Sequence, residues 1–596
     1  MPMLLRTITV SALATLVTAQ ALPRQPRNAL DALPASTYAA ARFGGLDACR
    51  AAAEALPLAP LVETFFGELP AELRAQLMED GLGQAADELR RELQQVGLEP
   101  ADLRCVLGQP VTVAVGRLSL QSMGPSLCLM IEGGQRREEI NRTVAAVDRL
   151  LATLGVELEV TPAEVGGHAL YRVQAADSWT LYVGWIHDRY VVSNSLGYVA
   201  EVARVGGGAQ PGLAAATGVN ALRHRLPAPP LMSVALNAAT MMDAFAPHLP
   251  YEAADLSDAL GLGRLDLLYG AVTAGERGGA DLLHLGVGGS ERGLAKALVA
   301  APADLSFAEL CSDNTLVFGA GSFDLPGVID AFGRFVALLP DAAQREVRRE
   351  LGAEFSRELR RMGTSPAEVD GTLRAFGDQV GFALSLEQGA KPELLVRLSV
   401  DDEAGIAALM QRVEAVTARA GGLEWRTRKA GEHAVRFCNL QIDGALQLSP
   451  CYVLNGDGLW VGSDALGLVR ALRRAQKPGQ SLAAADDIVE MARSADGASG
   501  VLHVRAFRGV ELGWRTVETM LYPLLDARAD EVGFDSQALP DQEQLAAALG
   551  TTTLVYRVDD RGLTVENDGS MALGALLAAI GAIGDEVLER ASAEGR

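Results

Sequence analysis

Residues 166–197 read GGHALYRVQAADSWTLYVGWIHDRYVVSNSLG, and residues 431–467 read GEHAVRFCNLQIDGALQLSPCYVLNGDGLWVGSDALG. His168-Ala169 aligns with His433-Ala434, Ser193 with Ser463, and Leu196-Gly197 with Leu466-Gly467. The offset moves only from 433 − 168 = 265 to 463 − 193 = 270, a drift that one short insertion covers. The sequence therefore reads as a tandem duplication, and a repeat of this kind speaks about architecture far more than about chemistry.

Outward from this stretch, the same short unit starts four times. Strands near 38–43, 233–237, 315–320 and 501–507 each lead into a helix, the first over 46–56 and the others through Met241 and Phe245, Val328 and Phe335, and Trp514 and Leu521. Each helix region ends at an apolar residue plus glycine (Leu107-Gly108, Leu262-Gly263, Phe376-Gly377, Leu549-Gly550), where the apolar period changes from helical to alternating. Turns at Glu276-Arg277-Gly278 and Asp560-Arg561-Gly562 predict antiparallel hairpins. In the first and third quarters a further helix, 138–154 or 402–420, precedes the repeated stretch with its three strands, and a closing helix follows near 198–205 or 468–474. The expected fold is α+β, with mainly antiparallel sheets and helices packed on one face. The expected divisions are a signal peptide at 1–21, a leader at 22–34, a larger module at 35–210, a smaller one at 211–300, a second larger one at 301–478 and a second smaller one with a C-terminal helix at 479–596.

With 596 residues, 49% of them hydrophobic and only 5% aromatic, the cores are expected to be aliphatic and the chain multi-modular. The net charge of −23 opposes binding to nucleic acid, which is itself a polyanion. Arg6, the apolar run 8–17 and Ala19-Gln20-Ala21 have the three parts of an export signal, predicting a mature start at Leu22 and a periplasmic or extracellular location. That run and the C-terminal apolar run 571–583 are both shorter than the roughly 20 residues a spanning helix requires, so no stable membrane span is expected after cleavage. The C-terminal run reads as a helix docked on the last sheet.

This order of elements, with the export signal, Leu107-Gly108, Gly167-His168 and the Ser193 region, resembles an uncharacterised family of secreted bacterial proteins known only as a domain of unknown function. The resemblance implies a fold and an exported location and brings no catalytic residues. Glu432 before His433 departs from the Gly167-His168 pattern.

Chemistry is sparse at this level. No G-x-S-x-G, S-x-x-K or H-E-x-x-H motif occurs, and no catalytic residue is assigned. Ser193 and Ser463 each lie between a strand and a helix, where a hydroxyl caps first-turn amides. His168 and His433 are the histidines in matching positions and the candidate metal ligands, should the halves bring them together; the reading is nevertheless no metal and no cofactor. The glycines Gly319-Ala320-Gly321 lack a phosphate-loop pattern and read as a turn between strand and helix. Trp179, Tyr182, Trp185 and Trp460 are candidate binding residues, either lining a groove for an apolar ligand or filling the core. Cys438 and Cys451 are the candidate disulfide, provided the hairpin between them is longer than a two-residue turn at Asp443-Gly444. The functional expectation is an exported, non-enzymatic binding or envelope-associated structural protein with a small apolar ligand or an envelope protein as partner. A periplasmic carrier of an apolar small molecule and a hydrolase with dispersed active-site residues stand as alternatives.

Overall fold

The computed structural model describes residues 28–69, 82–95, 97–119, 124–153, 158–175, 179–245, 265–287, 301–324, 326–327, 330, 336–337, 344, 366–387, 391–442, 446–456, 458–477, 481–529, 536–559 and 561–593. The export segment, the helix expected through Val328 and Phe335, and the Asp443-Gly444 turn lie outside them.

The alternating segments form β1 (Ala39–Phe43), β2 (Val111–Ser119), β3 (Gly124–Glu132), β4 (Leu158–Val165), β5 (His168–Ala175), β6 (Trp179–Ile186), β7 (Arg189–Ser193), β8 (Met232–Leu236), β9 (Leu265–Gly275) and β10 (Gly278–Val287) in the first half. The second half supplies β11 (Thr315–Ser322), β12 (Phe376–Glu387), β13 (Lys391–Val400), β14 (Arg426–Ala430), β15 (His433–Phe437), the small ribbon β16 (Leu440–Ile442) and β17 (Leu446–Leu448), then β18 (Cys451–Asn455), β19 (Gly458–Gly462), β20 (Gly500–Arg505), β21 (Thr551–Asp559) and β22 (Gly562–Gly569). The first half is ordered β4-β5-β6-β7-β3-β2-β1-β8-β9-β10. The second runs β14-β15-β18-β19-β13-β12-β11-β20-β21-β22. The two orders match strand for strand, every pairing is antiparallel, and the β16–β17 ribbon lies in the chain between β15 and β18, the strands that match β5 and β6.

The halves meet where β10 pairs with β22, producing one 20-stranded sheet. Gly278 and Gly562 each open their strand after a two-residue turn. Leu282 and Glu566 stand at equal distances beyond those glycines, 282 − 278 = 4 and 566 − 562 = 4, and are paired with each other, so a local twofold passes between them. The glycines show the same symmetry: a Cβ on Gly278 would lie 2.7 Å from the Gly569 carbonyl oxygen, and one on Gly562 would lie 2.0 Å from that of Leu285. Both have left-handed φ, 104° and 132°. The backbones approach too closely at this junction for any side chain there.

Side chains alternate across the sheet, so each strand serves two faces. One face carries the two largest cores, closed by the helices Leu196–Gly206 and Ala465–Arg474 with shorter ones such as Asp486–Ser494. Helices also lie on the opposite face, which differs from the one-sided expectation. Leu46–Glu54 and Leu573–Ala593 pack there around Cys49, Ala274 and Ala578, Arg137–Thr153 places Ile140 against Ile131 and Trp185, and Glu403–Gly421 places Ile406 against Tyr452. The reason is visible in the strands: β3, for instance, offers Met130 to one face and Ile131 to the other.

The C-terminal helix crosses between halves, packing on β9 and β10 rather than on the last hairpin. Asp281 of β10 accepts from its first amides, Leu573 N at 2.7 Å and Gly574 N at 2.9 Å. Its Asp585, 1% exposed at the side chain, accepts from Arg104 Nε at 2.8 Å and Arg50 Nη1 at 3.2 Å. Hydrogen bonding from Arg104 lowers the Asp585 pKa against the opposing effect of burial. No helix among the described residues is long and apolar enough to cross a membrane. The outer strands β4 and β14 carry Pro162 and the basic run Arg426, Arg428 and Lys429, features that discourage edge-to-edge association.

Gly562→Ala is expected to strain both its own φ and the Leu285 carbonyl contact, lowering stability by about 1–3 kcal/mol. Gly509→Ala, on a half-buried helix with nothing within 4 Å of the added carbon, should be neutral or slightly stabilising when both variants are compared in urea melts.

Candidate functional site

Over the junction, on the face that holds the two main cores, lies a cavity of about 540 Å3 lined by both halves. The first half contributes Ala280 and Leu282 of β10, with Arg277 and the segment 225–227 at the side. The second contributes Glu566 and Asp568 of β22, Thr551, Thr553 and Val555 of β21, His503 of β20, and Asp487, Glu490, Met491 and Ser494 of the helix Asp486–Ser494. Four carboxylates on the cavity side, Asp487, Glu490, Glu566 and Asp568, stand against the arginines Arg225 and Arg277, so the site disfavours anions.

Its polar groups form two clusters. Glu566 sits between Arg225 of the first half and Arg557 of the second, each at 2.6 Å, which ties the halves by charge beside the local twofold. Deeper, Asp487 Oδ2 lies 3.2 Å from His503 Nε2 and 2.7 Å from Arg505 Nε, while Arg505 Nη2 reaches Asp487 Oδ1 at 3.2 Å. Burial works against ionisation of Asp487, but the hydrogen bonds from His503 and Arg505 and the Arg505 charge outweigh it and push its pKa down to about 2. His503 is 1% exposed, and its Nδ1 lies 2.8 Å from the hydroxyl of Thr553, its cross-strand neighbour. An ionised carboxylate only accepts, so Nε2 carries a proton; when the ring is neutral, Nδ1 is then the acceptor for the Thr553 hydroxyl. The result is a hydrogen-bonded chain from carboxylate through imidazole to a hydroxyl on the cavity wall. Asp568 differs: desolvation raises its pKa, the Arg277 charge opposes that rise and the Glu490 charge adds to it.

The sequence candidates lie elsewhere. Trp179 and Trp185 point to one face of β6 and Tyr182 to the other, while Trp460 is buried in the second half beside Phe307, so the four rings do not line one groove. Trp185 is fixed by Asn141 Oδ1 at 2.8 Å and by Arg137 stacked 4.8 Å from its ring. His168 and His433 stand in β5 and β15, each one strand in from opposite edges of the sheet, and do not approach each other. His168 instead meets His187 edge to face at 4.6 Å, and desolvation together with the His187 charge lowers its pKa. Among the described residues no group of three His, Cys, Asp or Glu side chains is placed to hold a metal.

Cys438 and Cys451 are free thiols. The pairing puts Phe437 opposite Cys451 and Cys438 beside Pro450, one residue short of the register a disulfide needs. The caps are Ser195 and Asp464, which accept from Tyr198 N and Gly467 N, so Ser193 and Ser463 are not the caps. Ser193 Oγ donates to the Leu127 carbonyl at 2.6 Å. The structural counterpart of Ser463 is Asn194: the side-chain oxygen of each accepts from a neighbouring strand, from Leu394 N at 2.9 Å and Leu127 N at 2.7 Å. Gly319-Ala320-Gly321 lies inside β11, with the Phe382 ring over Gly319, and is no turn.

Asp487, His503, Arg505 and Thr553 were not singled out from the sequence. Their signal is a parity: in VLHVR, His503 and Arg505 share a face with buried Val501, and a polar residue at a buried strand position needs a partner. Comparison of the chain with protein-family models, with curated proteins and with solved structures finds no match.

The folded pKa of Asp487 lies below its unfolded value of about 3.9, so its stabilising contribution is complete above pH 4 and is lost as pH falls toward 2. Asp487→Asn should cost about 2 kcal/mol at neutral pH and flatten the stability profile between pH 4 and 2, as read from urea melts across that range.

Proposed function

We propose that this chain is an exported binding protein whose small-molecule ligand occupies the cavity between its halves. The observation that carries the reading is that one cavity is walled by both halves at their local twofold, with its floor on the continuous sheet. A volume of about 540 Å3 suits a small organic molecule, and concave sites at the meeting of structural units are the usual place for one. The four cavity-side carboxylates against two arginines favour an uncharged or cationic ligand. Export rests on Arg6, the apolar run 8–17 and Ala19-Gln20-Ala21. Descent from a duplicated ancestor, and kinship with the uncharacterised secreted family, belong to the same proposal; the matching strand orders support the first.

A carrier of apolar molecules is a second reading, favoured by a row of exposed aliphatic side chains on the opposite face: Leu127, Val113, Val234 and Leu283. Such cargo would be recovered by organic extraction and would be indifferent to the junction cavity.

Ser494 is exposed at the cavity, and among the described residues its hydroxyl bonds only the Met491 carbonyl. Native mass spectra of the exported wild type are expected to show a co-purified small molecule, and Ser494→Trp is expected to keep the fold and to lose that molecule. Retention of that molecule by Ser494→Trp would place the binding site elsewhere.

A further inference from the structure

The chain Asp487–His503–Thr553 is more than burial of a histidine requires, as a second pair in the same sheet shows. His284 of β10 and Thr564 of β22 are also cross-strand neighbours, also buried, with Nδ1 to Oγ1 at 2.9 Å. Among the described residues that pair has no carboxylate hydrogen-bonded to its Nε2, and it does not line the cavity. The fold thus solves the problem of a buried histidine with a hydroxyl alone at one place, and at another adds an arginine-held acid and a half-buried threonine on a cavity wall. A base that accepts a hydroxyl proton while an ionised acid fixes its tautomer is the arrangement that turns a weak alcohol into a nucleophile.

We propose that the junction cavity is an acyl-transfer site for a small uncharged or cationic carboxylic ester, with Thr553 as nucleophile, His503 as general base, and Asp487 and Arg505 as positioning residues. The proposal rests on the reading of this cavity as the ligand site. In the first step Thr553 Oγ bonds to the ester carbonyl carbon as its proton passes to His503 Nδ1. The tetrahedral adduct then breaks its bond to the alcohol oxygen, which takes that proton and leaves, and the acyl group remains as an ester of Thr553. Water repeats the sequence: it gives a proton to His503 Nδ1, bonds to the acyl carbon, and Thr553 leaves with the proton restored. The balance is ester plus water to carboxylic acid plus alcohol. Leu226, Leu282, Met491 and Val555 give the cavity an apolar wall for the acyl chain, and the excess of carboxylates excludes anionic esters.

The mature full-length protein is tested with an alkyl fluorophosphonate, which traps an activated hydroxyl, and with p-nitrophenyl acetate for turnover. One adduct per chain, mapped to Thr553 by peptide mass, is expected. Thr553→Val should abolish it, Thr553→Ser should restore it, and His503→Gln should slow labelling by about 100-fold or more. His284→Gln and Thr564→Val should label as wild type does. If His503→Gln fails to fold, the Val and Ser variants at 553 still decide. A folded wild type without an adduct at Thr553, or labelling of Thr553 at the same rate in folded His503→Gln, overturns the inference. Small-molecule binding that survives in Thr553→Val beside an unlabelled wild type would sink the chemistry alone. Labelling of Thr553 with no ligand displaced by Ser494→Trp would sink the binding reading alone.

Discussion

The antiparallel ladder between β10 and β22 is the interaction on which the rest depends. Its eight paired positions, from Gly279 with Gly569 to Gly286 with Gly562, convert two ten-stranded assemblies into one sheet. Because side chains alternate with a period of two, this register also decides what the cavity is made of. It sets Ala280 and Leu282 beside Asp568 and Glu566 on the face where Thr553 and His503 stand. A slip of one residue would send the first half's wall to the opposite face. The close approach at Gly278 and Gly562 makes such a slip costly, since neither neighbouring position offers a glycine with that φ.

Two further ties act on the same junction from opposite faces. On the cavity side Glu566 is held between Arg225 and Arg557, joining the halves by charge where it is partly shielded from water. On the other side the C-terminal helix leaves the second half and docks on β9 and β10, its first amides on Asp281 and its Asp585 between Arg50 and Arg104. The electrostatic pairs are individually modest, whereas the buried contact of Cys49, Ala274 and Ala578 beneath that helix is continuous with the sheet. Backbone pairing fixes the register; the helix and the ion pairs hold it.

Local features of this architecture were legible in the sequence because they are set by short-range chemistry. The two-residue turns before Gly278 and Gly562, the helices beginning near Leu46 and Glu403, and the strands opening at His168 and His433 follow from glycine placement and from the change of apolar period. Glu432 can replace the glycine found at Gly167 because only Gly431 is left-handed in the second turn, whereas both Gly166 and Gly167 are in the first. The repeat alignment slipped by one at the closing helix, where Ser463 takes the part of Asn194: both oxygens accept from a strand amide, and identity of letters chose the wrong serine. What the pattern could not carry was pairing at long range. Nothing in β1 names β8 as its neighbour, nor in β10 does anything name β22, so four expected modules emerged as one sheet with helices on both faces. The site was hidden for the same reason, since Asp487, His503 and Thr553 lie on a helix and two strands that come together only when β20 pairs with β21.

The junction register is tested most directly by a pair of introduced cysteines at Leu283 and Val565, which the ladder sets opposite each other on the face away from the cavity. Mild oxidation of Leu283→Cys/Val565→Cys is expected to cross-link the halves within one chain, while Leu283→Cys/Leu563→Cys, displaced by two residues, stays open. No cross-link in the first pair, or an equal one in the second, would contradict a sheet that runs unbroken through β10 and β22.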